Sequence, residues 1–412
     1  MFTKHVKGRG ELKAVQEVGV VVTNLSCFHM FKSCALTFLA GLLLALTFAS
    51  QLQAATLPPD AVDIFHHRYD GGGMVIDGPS ILVRKSVGPQ VSLTGHYIVD
   101  NVSAASVDVL ATASAYAEER TEYSGGIDFL HDKTIMSAGY TNSSENDYEA
   151  NTAYFSVSQD FFGDLTTLSM AYARGWDEVG KVGQPKDQFE DIDRHNYKLG
   201  LTQVLTKNAL FGMDVDVITD EGALENPYRE NRFIDPDDPA NSRPQPERYP
   251  NTRTTTALGV RGLYYLPYRA SLKAEYRLFN DTWGIAAHTA SFSYVHPIGQ
   301  HWVVEGKFRY YTQDQADFYS DLFAFENSQT HLGRDKELST FSGTTLGGGV
   351  SYEFKQGVIP GIKRFQFSLL VDYLDFQYDN FRDATVTVVV PGTEPLYEFD
   401  AWVTRASIIL EY

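Results

Sequence analysis

Beyond residue 55 the chain contains no cysteine: its only two, Cys27 and Cys34, both fall in the first 55 residues. A disulfide framework and a thiolate metal site are therefore excluded for the remainder. That remainder also lacks an apolar run long enough for a spanning helix, a sustained period of 3.6, and any basic excess. The whole chain holds 34 Lys+Arg against 52 Asp+Glu, a formal charge of -18. Such acidity argues against a nucleic-acid partner, which would want a basic face. Without a spanning helix, two classes stay open: a soluble exported protein, or strands closed into a barrel. Backbone groups in lipid must pair internally, so only helices and closed barrels cross.

The first 55 residues read as an export signal. Lys32 precedes the apolar run CALTFLAGLLLALTFA, Cys34 to Ala49, and QAAT follows, with small residues suited to cleavage near Ala54 or Ala55. The run is short of the about 20 residues a spanning helix needs. Met30, just ahead of it, offers a second start. Cys34 lies before the apolar run and not at the cleavage point, so it does not read as a lipid anchor. Residues 1–55 carry five Lys/Arg and two Asp/Glu, a net of +3, which leaves about -21 for residues 56–412, a single domain.

What is present in that domain is a period of two. In ASLKAEYRL, Leu272, Ala274, Tyr276 and Leu278 share one face while Ser271, Lys273, Glu275 and Arg277 share the other. WVVEGKFRYYTQ sets Trp302, Val304, Gly306, Phe308 and Tyr310 against Glu305, Lys307, Arg309 and Tyr311. Connections alternate in length. Tight ones such as VGPQ, HDK, FFGD, TKN, PYR and PIGQ are separated by longer polar ones, roughly 103–117, 145–149, 179–192, 222–252, 315–338 and 378–397. A short turn after every second strand is the plan of a transmembrane antiparallel up-and-down β-barrel, with short periplasmic turns and long outer loops. The expected strands are 61–69, 74–86, 89–101, 118–130, 133–144, 150–160, 164–178, 193–205, 209–221, 253–266, 269–282, 285–296, 301–314, 339–354, 362–377 and 398–412, about sixteen. The pattern is weakest in the first of these and around TIMSAGYT. The 222–252 segment, with five prolines from Pro236 to Pro250, shows no alternation. Soluble sandwiches and propellers alternate too. Here, however, the polar face mixes both charge signs with Gly, Ser and Thr, and Tyr97, Tyr276, Tyr294, Tyr310, Tyr352 and Tyr373 sit near strand ends as girdles do. No blade repeat of about 40–50 residues appears.

The stretches DGGGMVIDGPSILVRK, EERTEYSGGIDFLHDKTIMSAGYTNSSENDY, VSQDFFGDLTTLSMAYARGWDEV and ITDEGALENPYRE resemble the DUF3570 family of Gram-negative outer-membrane β-barrel proteins, over nearly all of residues 56–412. The resemblance implies the outer membrane of a Gram-negative bacterium and, more loosely, a setting beside exported flavin-transfer and redox genes. It carries no catalytic residues.

Chemistry-bearing candidates then follow from the barrel plan. The inner face is expected to present Arg84, Asp100, Glu122, Asp128, Asp214, Asp216, Arg261, Lys273, Glu275, Arg277, Glu305, Lys307, Arg309, Arg364 and Asp372, with Asp220 and Glu353. Opposed charged walls favour small polar solutes; the bland alternative is ion pairs that fill the interior, helped by inward folding of 222–252 or 315–338. Adjacent His66 and His67 point to opposite faces and make a poor chelate. No resident cofactor is expected. Acidic outer loops around Asp187, Glu190, Asp191 and Asp193, and around Asp235, Asp237 and Asp238, suit unspecific divalent cations beside lipopolysaccharide. Neither G-x-S-x-G nor a phosphate-cradling loop occurs. The C-terminal stretch TRASIILEY resembles the signal read by barrel-insertion machinery, with Tyr412 and Leu410 at its apolar positions and Arg405 at a polar one; Ser407 stands where that signal usually has glycine. Three functions fit: a pore or transporter for small polar solutes, a scaffold for an exported flavin or cytochrome redox assembly, and, least, an outer-membrane hydrolase. Oligomeric state leaves no trace in the pattern.

Overall fold

In the computed structural model, residues 56–104, 116–355 and 357–412 are described. The expected export signal at 1–55, with its second start at Met30, lies outside the described residues, as does 105–115 of the expected 103–117 loop.

Eighteen strands follow in chain order: Ala61–Gly71 (β1), Met74–Ser86 (β2), Val91–Ala104 (β3), Tyr116–His131 (β4), Thr134–Ser144 (β5), Tyr148–Phe161 (β6), Thr166–Val179 (β7), Glu190–Thr206 (β8), Ala209–Gly222 (β9), Glu230–Ile234 (β10), Ser242–Pro246 (β11), Thr252–Tyr265 (β12), Ser271–Asp281 (β13), Ala286–Ile298 (β14), Trp302–Gln313 (β15), Phe341–Glu353 (β16), Arg364–Arg382 (β17) and Leu396–Glu411 (β18). Sixteen of them close into one barrel, each paired with its chain neighbour, β9 with β12, and β18 with β1. At the closing seam Ala61 lies opposite Glu411 and Ile64 opposite Ile408. β10 and β11 form a separate two-stranded sheet.

The period of two becomes an inside and an outside. Leu93, Tyr97, Ile127, Leu199, Tyr276, Phe308, Tyr310, Leu346 and Leu369 point outward and are exposed. Apolar cover of this extent is incompatible with water and fits lipid. On β17 the outward row runs Phe365, Phe367, Leu369, Val371, Tyr373, about 26 Å along the strand and about 20 Å along a barrel axis inclined by ~40°. Aromatic pairs bound the row. Phe354 stacks on Phe365 with centroids 4.2 Å apart below, and Tyr373 packs on Trp402 at 5.0 Å above. Past Tyr373 and Trp402 the outer face turns acidic, with Asp375 and Asp379 on β17 and Asp400 on β18. Among the described residues no helix is long and apolar enough to cross a membrane; the strands do so.

Turn chemistry matches the alternation. Gly72 and Gly73, at φ 59° and 76°, make the first outer turn, and Phe162, Gly163 and Asp164 all take positive φ in the FFGD turn. Glycine carries that conformation without a Cβ clash; Asp164 is held there by Lys133, whose Nζ donates to Oδ1 at 2.6 Å.

The 222–252 segment departs from expectation: it contains the β10–β11 hairpin, Arg232 opposite Pro244 and Glu230 opposite Pro246. Proline obscures the alternation in sequence, yet it is tolerated on a strand with one free edge, where no N–H is needed.

Candidate functional site

The inner face is where the expected charges fall, and most are paired. Asp100 accepts from Arg120 at 2.5 Å and lies 3.1 Å from His67 Nε2. Glu122 is 3.8 Å from the same arginine, and Asp128 accepts from Ser137 at 2.6 Å. Arg261 donates to Asp214 at 2.8 Å. Asp216 sits between Lys198 at 3.4 Å and Arg277 at 3.3 Å; Asp220 takes Arg194 at 2.5 Å. Lys273 pairs with its neighbour Glu275 at 2.7 Å. Arg364 bridges Glu353 at 3.0 Å and Glu411 at 2.8 Å. Arg309 lies over the Tyr311 ring, 5.5 Å from its centroid. Arg84 keeps its place on β2, its carbonyl accepting from Tyr412 Oη at 3.2 Å.

Lys273 and Glu275 are separated from Lys307 and Arg309 by serines of β14: Ser293 lies opposite both lysines, and Ser291 opposite Glu275 and Arg309. The pairing instead runs the other way round the ring. Asp372 on β17 accepts from Lys307 on β15 at 2.5 Å and from Arg405 on β18. The cluster is nearly dry, with side-chain exposure of 6% at Asp372 and 11% at Arg405. Glycine makes the space. A Cβ on Gly347 of β16 would stand 2.0 Å from Asp372 Oδ1, and one on Gly349 would stand 3.1 Å from Glu305. The same device places Arg261 over Gly212 and Asp214 over Gly259. The glycine-rich run of β16 thus accommodates long side chains of neighbouring strands.

The opposite wall has another character. On β5, β6 and β7 the inward row between Asp160 and Asp177 reads Ser137, Gly139, Thr141 and Ser143; then Thr152, Tyr154, Ser156 and Ser158; then Ser169, Ala171, Ala173 and Gly175. It holds no ionisable group other than the Tyr154 phenol. Tyr154 leans over Gly139 and is 40% exposed. Blurred alternation around TIMSAGYT is this neutral, small-residue wall seen in sequence.

Three outer loops interlock above the β12–β18 side of the mouth. Phe233, Phe323 and Leu332 form one cluster. Arg232 reaches Glu394 at 2.5 Å and Asp321 at 2.6 Å, joining the β10 hairpin to the loops after β15 and β17. Arg248 and Leu332 exchange backbone bonds of 2.9 and 2.8 Å. Below, inward aromatics from the strand ends, among them Tyr311, Phe341, Tyr378 and Tyr397, pack with Phe381. Glu247 is buried in this cap and receives Tyr249 Oη and the Arg334 N–H, both at 2.5 Å. Burial, with Asp335 nearby, pushes its carboxyl up to about 7. Segments 222–252 and 315–338, expected as candidates for inward folding, are joined to each other in a cap of loops at the outer end.

Part of the acidic loop stretches is committed to partners. Arg243 is clamped by Asp235 and Asp237, each at 2.8 Å; Asp238 accepts from Asn241 at 2.7 Å; Asp193 holds Arg174 at 2.7 Å. His66 faces outward, 4.0 Å from Asp77, and His67 inward. Three other histidines bond tyrosines: His195 with Tyr172, His288 with Tyr276, His296 with Tyr294. At the seam, Leu410 lies opposite Val62. Tyr412 donates its N–H to Asp60 O at 3.1 Å, and Lys85 stands over its ring at 4.7 Å. Arg405, expected as part of a C-terminal signal, points inward to Asp372.

The model of a family described as "Protein of unknown function (DUF3570)" matches residues 99–373. No curated protein matches the chain. Among solved structures it is similar to a bacterial polysaccharide outer membrane secretin, with 8% identity over 86% of this chain and 98% of that one, TM-score 0.47. It is likewise similar to OccK2 (OpdF) of Pseudomonas aeruginosa, 8% identity over 87% and 99%, TM-score 0.40. The siderophore receptor PirA of Pseudomonas aeruginosa matches at 8% identity over 79% of this chain, TM-score 0.42; the chain spans 60% of that receptor's length.

Proposed function

This chain belongs to the DUF3570 family, and on that footing we propose that it is an outer-membrane pore for small polar solutes, exported by a cleaved leader. The observation that carries this is the exposure of inner-wall groups. Tyr154 is 40% exposed, and the side chains of Lys198 and Arg261 are 45% and 37% exposed. Side chains alone do not fill a ring of sixteen strands, and these groups keep accessible surface on the inner wall, which supports a solvated lumen. The path follows the neutral face of β5–β7, with paired charges across from it. Because Asp214, Asp216 and Asp372 are tied to cations, the lumen offers local dipoles more than a strong net field. That suits uncharged or zwitterionic solutes with hydrogen-bonding groups, which the hydroxyls of Ser137, Thr141, Thr152 and Ser156 can meet.

Planar-bilayer recording of the purified protein tests it. Stepwise ohmic conductance is expected, and Tyr154→Ala should raise it while Tyr154→Trp lowers it. A folded barrel that stays electrically silent and co-purifies with a flavoprotein or cytochrome would replace the pore with a scaffold role.

A further inference from the structure

Three carboxylates meet where no pore needs them. Glu118 lies at the outer end of β4; Glu145 and Asp147 lie in the β5–β6 turn. One oxygen from each falls within 4.8 Å of the others. Glu118 is 8% exposed and Asp147 1%. Each of these two has one oxygen held and one not. The Asn146 N–H donates to Glu118 Oε1 at 3.0 Å, and Tyr228 Oη donates to Asp147 Oδ2 at 2.6 Å. Glu118 Oε2 and Asp147 Oδ1 are buried without a hydrogen-bond partner. Neither carboxylate has an ion-pair partner among the described residues.

Buried carboxylates of like sign are stable only when neutralised or when they coordinate a metal. Here the two oxygens left without a partner, Glu118 Oε2 and Asp147 Oδ1, are the ones a bound cation would satisfy. Two oxygens on opposite sides of a hard divalent cation stand about 4–5 Å apart, so carboxylate oxygens within 4.8 Å of one another can share one; calcium's flexible shell tolerates an irregular set of protein oxygens better than magnesium's octahedron. By holding one oxygen of each carboxylate, the Asn146 N–H and Tyr228 Oη aim the other.

We propose that Glu118, Asp147 and Glu145 bind a divalent cation of the calcium class, with water completing its shell. The acids involved are not those of the exposed 187–193 and 235–238 stretches. Tyr228 also accepts from the Val182 N–H at 2.8 Å, so an ion here fastens three outer segments together: the β5–β6 turn, the β7–β8 loop and the chain leaving β9. The site stands whether or not the barrel conducts.

The test uses the full chain refolded into lipopolysaccharide-free detergent micelles, its folded state checked by heat-modifiable gel mobility. After chelator treatment, calcium is titrated calorimetrically, with magnesium as competitor. One saturable calcium per chain is expected. Glu118→Gln with Asp147→Asn should weaken it at least about tenfold, and Asp237→Asn with Asp238→Asn should leave it unchanged. Calcium should also slow protease nicking within 222–252 in the unaltered chain. The proposal is overturned if the folded chain shows no saturable site, or if the Glu118/Asp147 pair binds as before. Should that pair fail to fold, Glu145→Gln decides: weakened binding supports the site, and full retention overturns it.

Discussion

Replacing Asp372 with Asn asks whether one side of the barrel is braced by charge. Asp372 is 5% exposed and accepts from Lys307 and Arg405, whose side chains are 12% and 11% exposed. Asn keeps the shape and loses the charge, leaving two nearly dry cations side by side. Breaking a buried pair from one end costs about 3–5 kcal/mol, most of it the stranded charge. Glu305, which also feels Lys307 and Arg405, offsets part, so the lower end, about 3 kcal/mol, is expected. That is roughly a hundredfold in the folding constant. Urea unfolding in micelles, scored by gel mobility and tryptophan fluorescence, reads it directly. Adding Lys307→Met to Asp372→Asn should restore part of the loss, because one stranded cation is gone. If Asp372→Asn unfolds with the unaltered chain, or if the added Lys307→Met destabilises further, the cluster does not brace the wall.

Gly347→Ala brings a Cβ to 2.0 Å from Asp372 Oδ1 and should cost about 1–3 kcal/mol in the same assay, whereas Ala at Gly348, whose nearest neighbour is Glu305 O at 3.5 Å, should cost far less. The cap should loosen as pH rises. Glu247 has a folded pKa of about 7 against an ordinary 4.5, so the folded state binds the extra proton between these values and stability falls across that window, flat beyond it. Protection of the Arg248 and Leu332 amides, corrected for the intrinsic pH dependence of exchange, should therefore fall from pH 5 to pH 8, and Glu247→Gln should abolish the fall. Tyr412→Ala removes the ring under Lys85 and the bond to Arg84 O; slower appearance of the folded gel band on refolding is expected, and an unchanged rate would show that the seam closes without it.

The strands were legible because lipid on one side and water on the other write a period of two into every crossing. Expected spans such as 164–178 and 209–221 differ by two residues or fewer at each end from Thr166–Val179 and Ala209–Gly222. Which residues face inward followed from the same alternation. Their partners did not. Asp372 meets Lys307 across an intervening strand and 65 residues of chain, and the glycine that admits them lies on neither strand. Tyr228 reaches Asp147 over 81 residues. The hairpin of the cap was hidden by Pro244 and Pro246, and the neutral wall by Gly139, whose missing side chain is replaced by the Tyr154 ring of the next strand.

A barrel with charged struts that skip a strand on one flank, and only neighbour-to-neighbour bonds on the other among the described residues, is mechanically uneven. Lys307, Asp372 and Arg405 tie β15, β17 and β18 across the grain of the sheet, while among the described residues the inner wall of β5–β7 shows no charged tie that skips a strand. Lateral stress from the bilayer is then expected to flatten the ring on its less tied side first. The barrel varies in outline and not in length, and its elastic side is the side that carries the hydroxyls.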